Sequence, residues 1–417
     1  MRSGLISRHG AFRRLWIGNA VSQVGTQVSM LAVPLLAVLT LHASTFQVGV
    51  LTAAENAAFL LIGLPAGAWV DRLRRRPVLI AGDLLRAALL ASLPLAAALG
   101  VLTLGQLYAV VFAVGAGTVF FEVAHQSYLP SLVGREHLVE ANGRLEANRS
   151  VAYAVGPTVA GYLVQALTAP FALLVDAASF AWSAWWIVAI RHREPRPVAA
   201  SHRCLRREIM AGLRQVFGHP VLRATAVYGS CTVLFMALAR AVEVAFLVRT
   251  VHLAPAGIGL LYSLSSLGAV AGALIGAPLG RRLGPSRTML WSALVAHLFM
   301  LLIPLTGPGL RLAYYGVGVA VSSLCIVVFN IVSVSYRQTL CPDHLLGRMN
   351  ATMRFMIWGA LPVGGLIGGA LGTAFGLRPT LWVSALGGLL AVAWLVWSPL
   401  RQTREAARPE PVGTVAG

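Results

Sequence analysis

Twelve apolar stretches fill most of this chain, each close to the roughly 20 residues that a helix needs to cross a bilayer. They run over 15–41, 47–70, 78–100, 104–126, 147–168 and 170–190. After a polar interval they resume over 220–248, 256–279, 288–306, 311–335, 350–373 and 379–399. In hydrocarbon every backbone amide and carbonyl must find a partner within the protein, and a helix provides one along its own length. The predicted fold is all-α and integral to the membrane, with about twelve transmembrane helices in two sets of six. Composition agrees: 57% of the 417 residues are hydrophobic, 11% are charged and the mean hydropathy is +0.75. A soluble chain could not cover that much apolar surface. Glycine (42) and proline (21) are plentiful, as they are in membrane helices.

The formal net charge is +19 and the pI about 11.3. Basic residues collect on the cytoplasmic side of membrane proteins, which accounts for the charge without nucleic acid as a partner. The sequence contains no lysine, so every basic residue in that count is arginine. Arg2, Arg8, Arg13 and Arg14 precede the first stretch, and Arg72, Arg74, Arg75 and Arg76 follow the second. Arg135 and Arg144 follow the fourth, Arg281, Arg282 and Arg287 the eighth, Arg337 and Arg348 the tenth. Loops near 42–46, 100–104 and 168–170 carry none, whereas Arg249, Arg311 and Arg378 break the pattern. The expected topology is multi-pass with both termini cytoplasmic. The start MRSGLISRHGAFRRL is basic and leads straight into a spanning stretch, so no cleavable signal is expected. Cys204, Cys231, Cys325 and Cys341 have no CxxC or metal-ligand spacing, so free thiols and no metal or cofactor are expected.

Residues 1–190 form one predicted six-helix bundle and 220–399 the other. Between them, 191–219 reads as a cytoplasmic linker. Leu205, Ile209, Leu213 and Val216 recur there at helical spacing among arginines, as in a helix lying on the membrane face. The tail 400–417 is polar and expected to be disordered. The halves repeat one another. GAWVDRLRR after the second stretch has a counterpart, GAPLGRRLG, after the eighth. Gly67 then matches Gly276 and Arg72 matches Arg281 at one common offset, with Asp71 replaced by Gly280. SYLPSLVGREHLVEANGR after the fourth stretch likewise resembles SYRQTLCPDHLLGRMNAT after the tenth.

The pattern GxxxDRxxRR between the second and third of twelve helices, with a decayed copy between the eighth and ninth, resembles the major facilitator superfamily. The segment from Ala124 to Gly161 resembles more narrowly its bacterial siderophore and macrolide exporters. The resemblance implies a conformational latch of Gly67, Asp71, Arg72 and Arg75, with Asp71 meeting the start of the eleventh helix. Gly67 permits close helix approach, and a boundary carboxylate needs donors or a helix N-terminus. Arg354 is the expected partner. Arg74 stands where the family often has glycine. Gly156-Pro157-x-x-Ala160-Gly161 resembles the fifth-helix kink motif of drug/proton antiporters, although the fourth helix has Val111 near the place of their arginine.

Five carboxylates fall within the spans: Glu55, Asp83, Glu122, Asp176 and Glu243. An intramembrane carboxylate is costly and is a functional candidate by default. Asp83 has Arg86 one turn on, and Arg240 has Glu243 at the same spacing, so each pair can satisfy itself. Glu55 and Glu122 lack such partners and are the proton-coupling candidates; their alternative is polar contact between helices. Asp176 is read as contacting a neighbouring helix. On the first helix Asn19, Ser22, Gln23, Thr26, Gln27 and Ser29 share about half of the wheel. A polar face at mid-membrane must meet protein or a water-filled cavity. Asn19, Gln23, Thr26 and Gln27, with Arg240 and Glu243, are the substrate-cavity candidates. Trp182, Trp185, Trp186, Trp394 and Trp397 read as interfacial anchors. No P-loop, HExxH or nucleophile elbow is present, so an enzyme is not expected. The expected function is export of a small amphipathic compound (a drug, siderophore or secondary metabolite) by alternating access, coupled to protons. Import of a small metabolite and a non-transporting sensor are the alternatives.

Overall fold

The computed structural model describes residues 9–70, 73–134, 137–191, 205–341 and 346–398. Among these residues the chain is helical with no strand. Twelve helices are long and apolar enough to cross a membrane. The first six are α1 (Gly10–Leu35), α2 (Thr45–Val70), α3 (Arg75–Ala98), α4 (Leu104–Val133), α5 (Leu138–Leu167) and α6 (Ala169–Val188). A linker helix, Leu205–Gly218, precedes α7 (Pro220–Arg249), α8 (Pro255–Leu283), α9 (Pro285–Met300) and α10 (Leu312–Leu340). The helix α11 is divided at Gly359 into Leu346–Trp358 and Ala360–Phe375, and α12 runs over Leu377–Ala391.

The described helices run longer than the apolar stretches where charges can reach water. α5 begins at Leu138 rather than at 147, because Glu140 and Arg144, then Glu146 and Arg149, lie on exposed turns and pair at 3.9 Å. α4 continues past the expected end at 126 to Val133. Glu122 is therefore about 16 Å from the end of its helix. α1 ends in a π turn, Leu36–Thr40, just after Pro34. The tail and the linker up to 204 lie outside the described residues. The described linker helix buries Val216 against Leu222, Ala226, Met349 and Met353 of α7 and α11.

Within the first half α1 packs on α5 and α6, α3 on α4 and α6, and α2 on α4. Within the second, α7 packs on α11 and α12, α10 on α8 and α9, and α9 on α12. The halves meet along α2 with α11, α5 with α8, and α2 with α7. One side of the bundle is rich in arginine, where α2 leads into α3; the opposite side holds the turns between α1 and α2 and between α7 and α8. Arg14 and Arg76 act at the arginine-rich side. Arg14 Nη1 donates to Ala189 O at 2.7 Å, and Arg76 to Ile187 O at 3.2 Å and Val188 O at 2.7 Å. Two cations thus cap the C-terminal carbonyls of α6, where the helix dipole favours positive charge. Two of the exceptional arginines also have structural partners. Arg249 donates to Ala43 O at 2.7 Å, tying α7 to the α1–α2 turn, and Arg378 donates to Thr306 O at 2.9 Å.

Candidate functional site

The closure between the halves is built from glycine. A Cβ on Gly49 of α2 would stand 2.6 Å from Gly365 O and from Gly369 Cα of α11. On α5, a Cβ at Gly161 would meet Pro255 O of α8 at 2.5 Å, and one at Gly259 of α8 would meet Pro157 O at 2.1 Å. Backbones approach this closely only where side chains are absent. Polar contacts continue the α5–α8 seam: the Thr158 and Ser263 hydroxyls are 2.7 Å apart, and Ser266 donates to Tyr153 O. These contacts occupy the portions of the helices toward the opposite side, so the halves are joined there. The sequence motif Gly156, Pro157 and Gly161 divides its work. Gly161 and Pro157 face α8, whereas Gly156 accommodates Gln27 of α1, whose Cβ would lie 2.5 Å from an added methyl.

Beneath this closure lies a charged cluster drawn from both halves. The Tyr315 hydroxyl of α10 donates to Glu243 Oε1 of α7. Arg240, one turn before Glu243, is exposed and lies within electrostatic reach of Glu243, Tyr262 of α8, Tyr315 and Glu55 of α2. Glu55 belongs to the first half and Arg240 to the second. Their mutual reach places Glu55 toward the space between the halves rather than toward lipid. The local Arg240–Glu243 pairing suggested by spacing does not form: no ion pair joins them within 4.0 Å, and Tyr315 holds Glu243 instead. Tyr315 and Tyr262 were not legible as site residues, since an aromatic residue in an apolar run carries no periodicity of its own.

The polar face of α1 is shared between packing and the cavity. Asn148 of α5 donates to Asn19 Oδ1 at 3.3 Å and to Trp16 O at 3.1 Å. Gln27 is buried against Gly156, and Ser29 donates to Asp176 of α6. Gln23 and Thr26 are half-buried, with Thr26 Oγ1 donating to Ser22 O at 3.0 Å. Exposed Met30 falls on the same face as Asn19, Gln23 and Thr26. Glu122 is exposed and within electrostatic reach of Arg86 and Arg149. Of the latch residues, Asp71 and Arg72 lie outside the described residues, as do the surroundings of Gly67. Arg75 is half-buried at the start of α3; Arg354 is exposed, with its guanidinium 6.0 Å from the Phe59 ring of α2.

Residues 6–412 match the family model described as "Transmembrane secretion effector". The chain belongs to this family of the major facilitator superfamily. It is 30% identical over 418 residues to the multidrug efflux pump Tap of Mycolicibacterium fortuitum, covering 97% of this chain and 99% of that protein. It is 28% identical over 429 residues to the enterobactin exporter EntS of Escherichia coli O6:K15:H31, covering 99% and 97%. The fold resembles a bacterial homologue of the iron transporter ferroportin in its inward-facing state, with TM-score 0.72, 18% identity and coverage of 94% and 99%. The protein is a multi-pass membrane transporter and not an enzyme.

Proposed function

We propose that this transporter exports a small amphipathic compound from the bacterial cytoplasm by alternating access, driven by protons. One observation carries the reading. Glu55 and Arg240 belong to different halves and lie beneath a glycine-built closure, where a substrate passing between the halves must meet them. The positive-inside bias puts the arginine-rich side and both termini in the cytoplasm. The halves, joined at the opposite side, then open toward the cytoplasm to load. Rocking about a midplane site would separate α5 from α8 and α2 from α11 to release the cargo. An Asp71–Arg354 contact, with Gly67, Arg72 and Arg75 around it, latches the cytoplasmic side when the other side opens. Glu55 and Glu122 are the proton carriers of this reading, and Asn19, Gln23, Thr26, Gln27, Arg240 and Glu243 its cavity residues. The named activities of Tap and EntS favour export of drug-like or siderophore-like compounds.

The test is accumulation of a dye and antibiotic panel in efflux-deficient bacteria expressing the protein, with and without a protonophore. Lower accumulation that the protonophore reverses, and that Asp71→Asn and Glu122→Gln weaken, is the expected result. Accumulation that rises above the empty-vector level would identify an importer. Loss in Asp71→Asn with full activity in Glu122→Gln would keep the latch and remove Glu122 from the proton route.

A further inference from the structure

A second charged cluster lies inside the first half, behind the polar face of α1. Asp83 and Arg86 of α3 and Asp176 of α6 are 0%, 4% and 1% exposed. Arg86 Nη2 is 2.5 Å from Asp83 Oδ1. Its Nε donates to Gly82 O at 3.2 Å and its Nη1 to Thr118 Oγ1 at 3.4 Å. The guanidinium sits between the Phe121 and Phe180 rings, 4.4 and 4.1 Å from their centroids. Asp176 accepts from the Ser29 hydroxyl and, at 3.0 Å, from that of Ser179. No hydrogen bond of good geometry reaches the buried Asp83 Oδ2, although the Ser183 hydroxyl is close enough to interact with that carboxylate.

Arg86 thus pairs with Asp83, and Asp176 lies within electrostatic reach of both. The further charged group within electrostatic reach is Glu122 of α4, and His125 stacks on Phe121 with centroids 5.8 Å apart. With both carboxylates ionised, the trio has a net negative charge that no other buried arginine among the described residues offsets. An uncompensated charge away from water is among the costliest arrangements a protein can hold. One proton brings the trio to neutrality, and Asp83 Oδ2, which has no well-formed hydrogen bond, can hold it.

The second half shows that the fold does not require these ions. Leu79 and Met289, Asp83 and Ala293, Arg86 and Ala296, and Pro94 and Pro304 stand at one common offset along α3 and the α9 segment. Ala293 and Ala296 are each 1% exposed, so alanine fills the buried places that Asp83 and Arg86 fill in the first half. At these matched positions charge is kept in the first half only.

We propose that Asp83, Arg86 and Asp176 form a proton-binding site in the wall of the first half, exchanging one proton with the cavity by way of Ser29. Ser29 is half-buried on the α1 polar face and is hydrogen-bonded to Asp176, so it joins the cluster to the cavity wall. When the proton leaves, Arg86 is drawn by two full negative charges and binds α3 more firmly to α6. When it returns, that hold loosens. The role in transport rests on the proton-driven reading above, whereas proton binding itself does not.

Two measurements separate these. Infrared difference spectra across a pH step, on the full chain in lipid nanodiscs, read the carbonyl stretch of protonated carboxylic acids. A band present in wild type and lost in Asp83→Asn, in Asp176→Asn or in both is expected. The triple variant Asp83→Ala/Arg86→Ala/Asp176→Asn removes every charge together and leaves no buried ion stranded. It should elute from gel filtration as wild type does, and it should lack the band. An unchanged band in the folded triple variant overturns the site. The second measurement follows the panel compound with the largest wild-type efflux in vesicles under an imposed pH gradient. Loss of the gradient response in the triple variant is expected. If wild type and triple variant respond equally, the site's part in coupling is overturned, while the proton-driven reading stands and the infrared band alone decides proton binding. If wild type ignores the gradient but its band depends on Asp83 or Asp176, the proton-driven reading fails and the binding site stands.

Discussion

Several side chains in this transporter form hydrogen bonds that cross from one helix to another. Tyr315 and Glu243 are the sharpest case, because the tyrosine supplies the donor that the spacing assigned to Arg240. Removing a donor from a partly buried carboxylate leaves a group that water reaches poorly. We expect Tyr315→Phe to lower stability by about 1–3 kcal/mol, read as an earlier thermal unfolding transition in detergent. A transition at the wild-type temperature would mean that Glu243 is satisfied in another way. Arg14 and Arg76 converge on one helix end, so each can be lost at modest cost. Arg76→Ala should destabilise by about 0.3–1 kcal/mol, and the double change with Arg14→Ala by more, in the same assay.

At the scale of elements, the α5–α8 seam is a pair of helices that must touch and then part if access alternates. Gly161 and Gly259 let the backbones meet, and Thr158 faces Ser263 across the contact. Cysteines at these two positions should form a disulfide when the seam is closed. Cross-linked Thr158→Cys/Ser263→Cys protein is expected to stop transporting and to recover on reduction. Full transport by the cross-linked form would show that this seam does not open in the cycle. Gly161→Leu should prevent the seam from closing and reduce transport by roughly tenfold or more, equivalent to about 1.4 kcal/mol of bias against the closed state. The measurement is efflux at matched protein level in the membrane. The division of α11 at Gly359 and the π turn ending α1 belong to the same scale, as interruptions of regular helix.

For the whole molecule, two halves of one ancestry have diverged in charge while keeping their backbone plan. His42 and His252 both adopt positive φ, 48° and 59°, in the matching α1–α2 and α7–α8 turns. The ions did not follow: α3 buries Asp83 and Arg86 where α9 buries two alanines. Orientation is a property of this scale too. Leu310, 96% exposed, lies in the turn between α9 and α10; Leu73, 50% exposed, lies between α2 and α3. In intact cells a membrane-impermeant maleimide should label Leu310→Cys and spare Leu73→Cys. The reverse pattern would place the arginine-rich side outside.

The amino-acid sequence by itself determined that the chain is a bundle of about twelve membrane helices with a repeated half. Length and apolarity are local quantities, and in hydrocarbon they leave the backbone little choice but helix. It also marked which carboxylates are out of place. What each one touches was decided by the tertiary structure, because partners such as Tyr315 for Glu243 and Ser29 for Asp176 come from helices distant in sequence, as does Arg240, which lies within electrostatic reach of Glu55. Local spacing was a sound guide for Asp83 and Arg86, which pair at 2.5 Å, and a poor one for Arg240 and Glu243, although both pairs stand three residues apart. The difference lies in what else is near. Asp83 and Arg86 are sealed between α3, α4 and α6 with each other as the nearest opposite charges, whereas Arg240 and Glu243 face neighbours that compete for them. Such competition between helices is a property of packing, and no single stretch of sequence contains it.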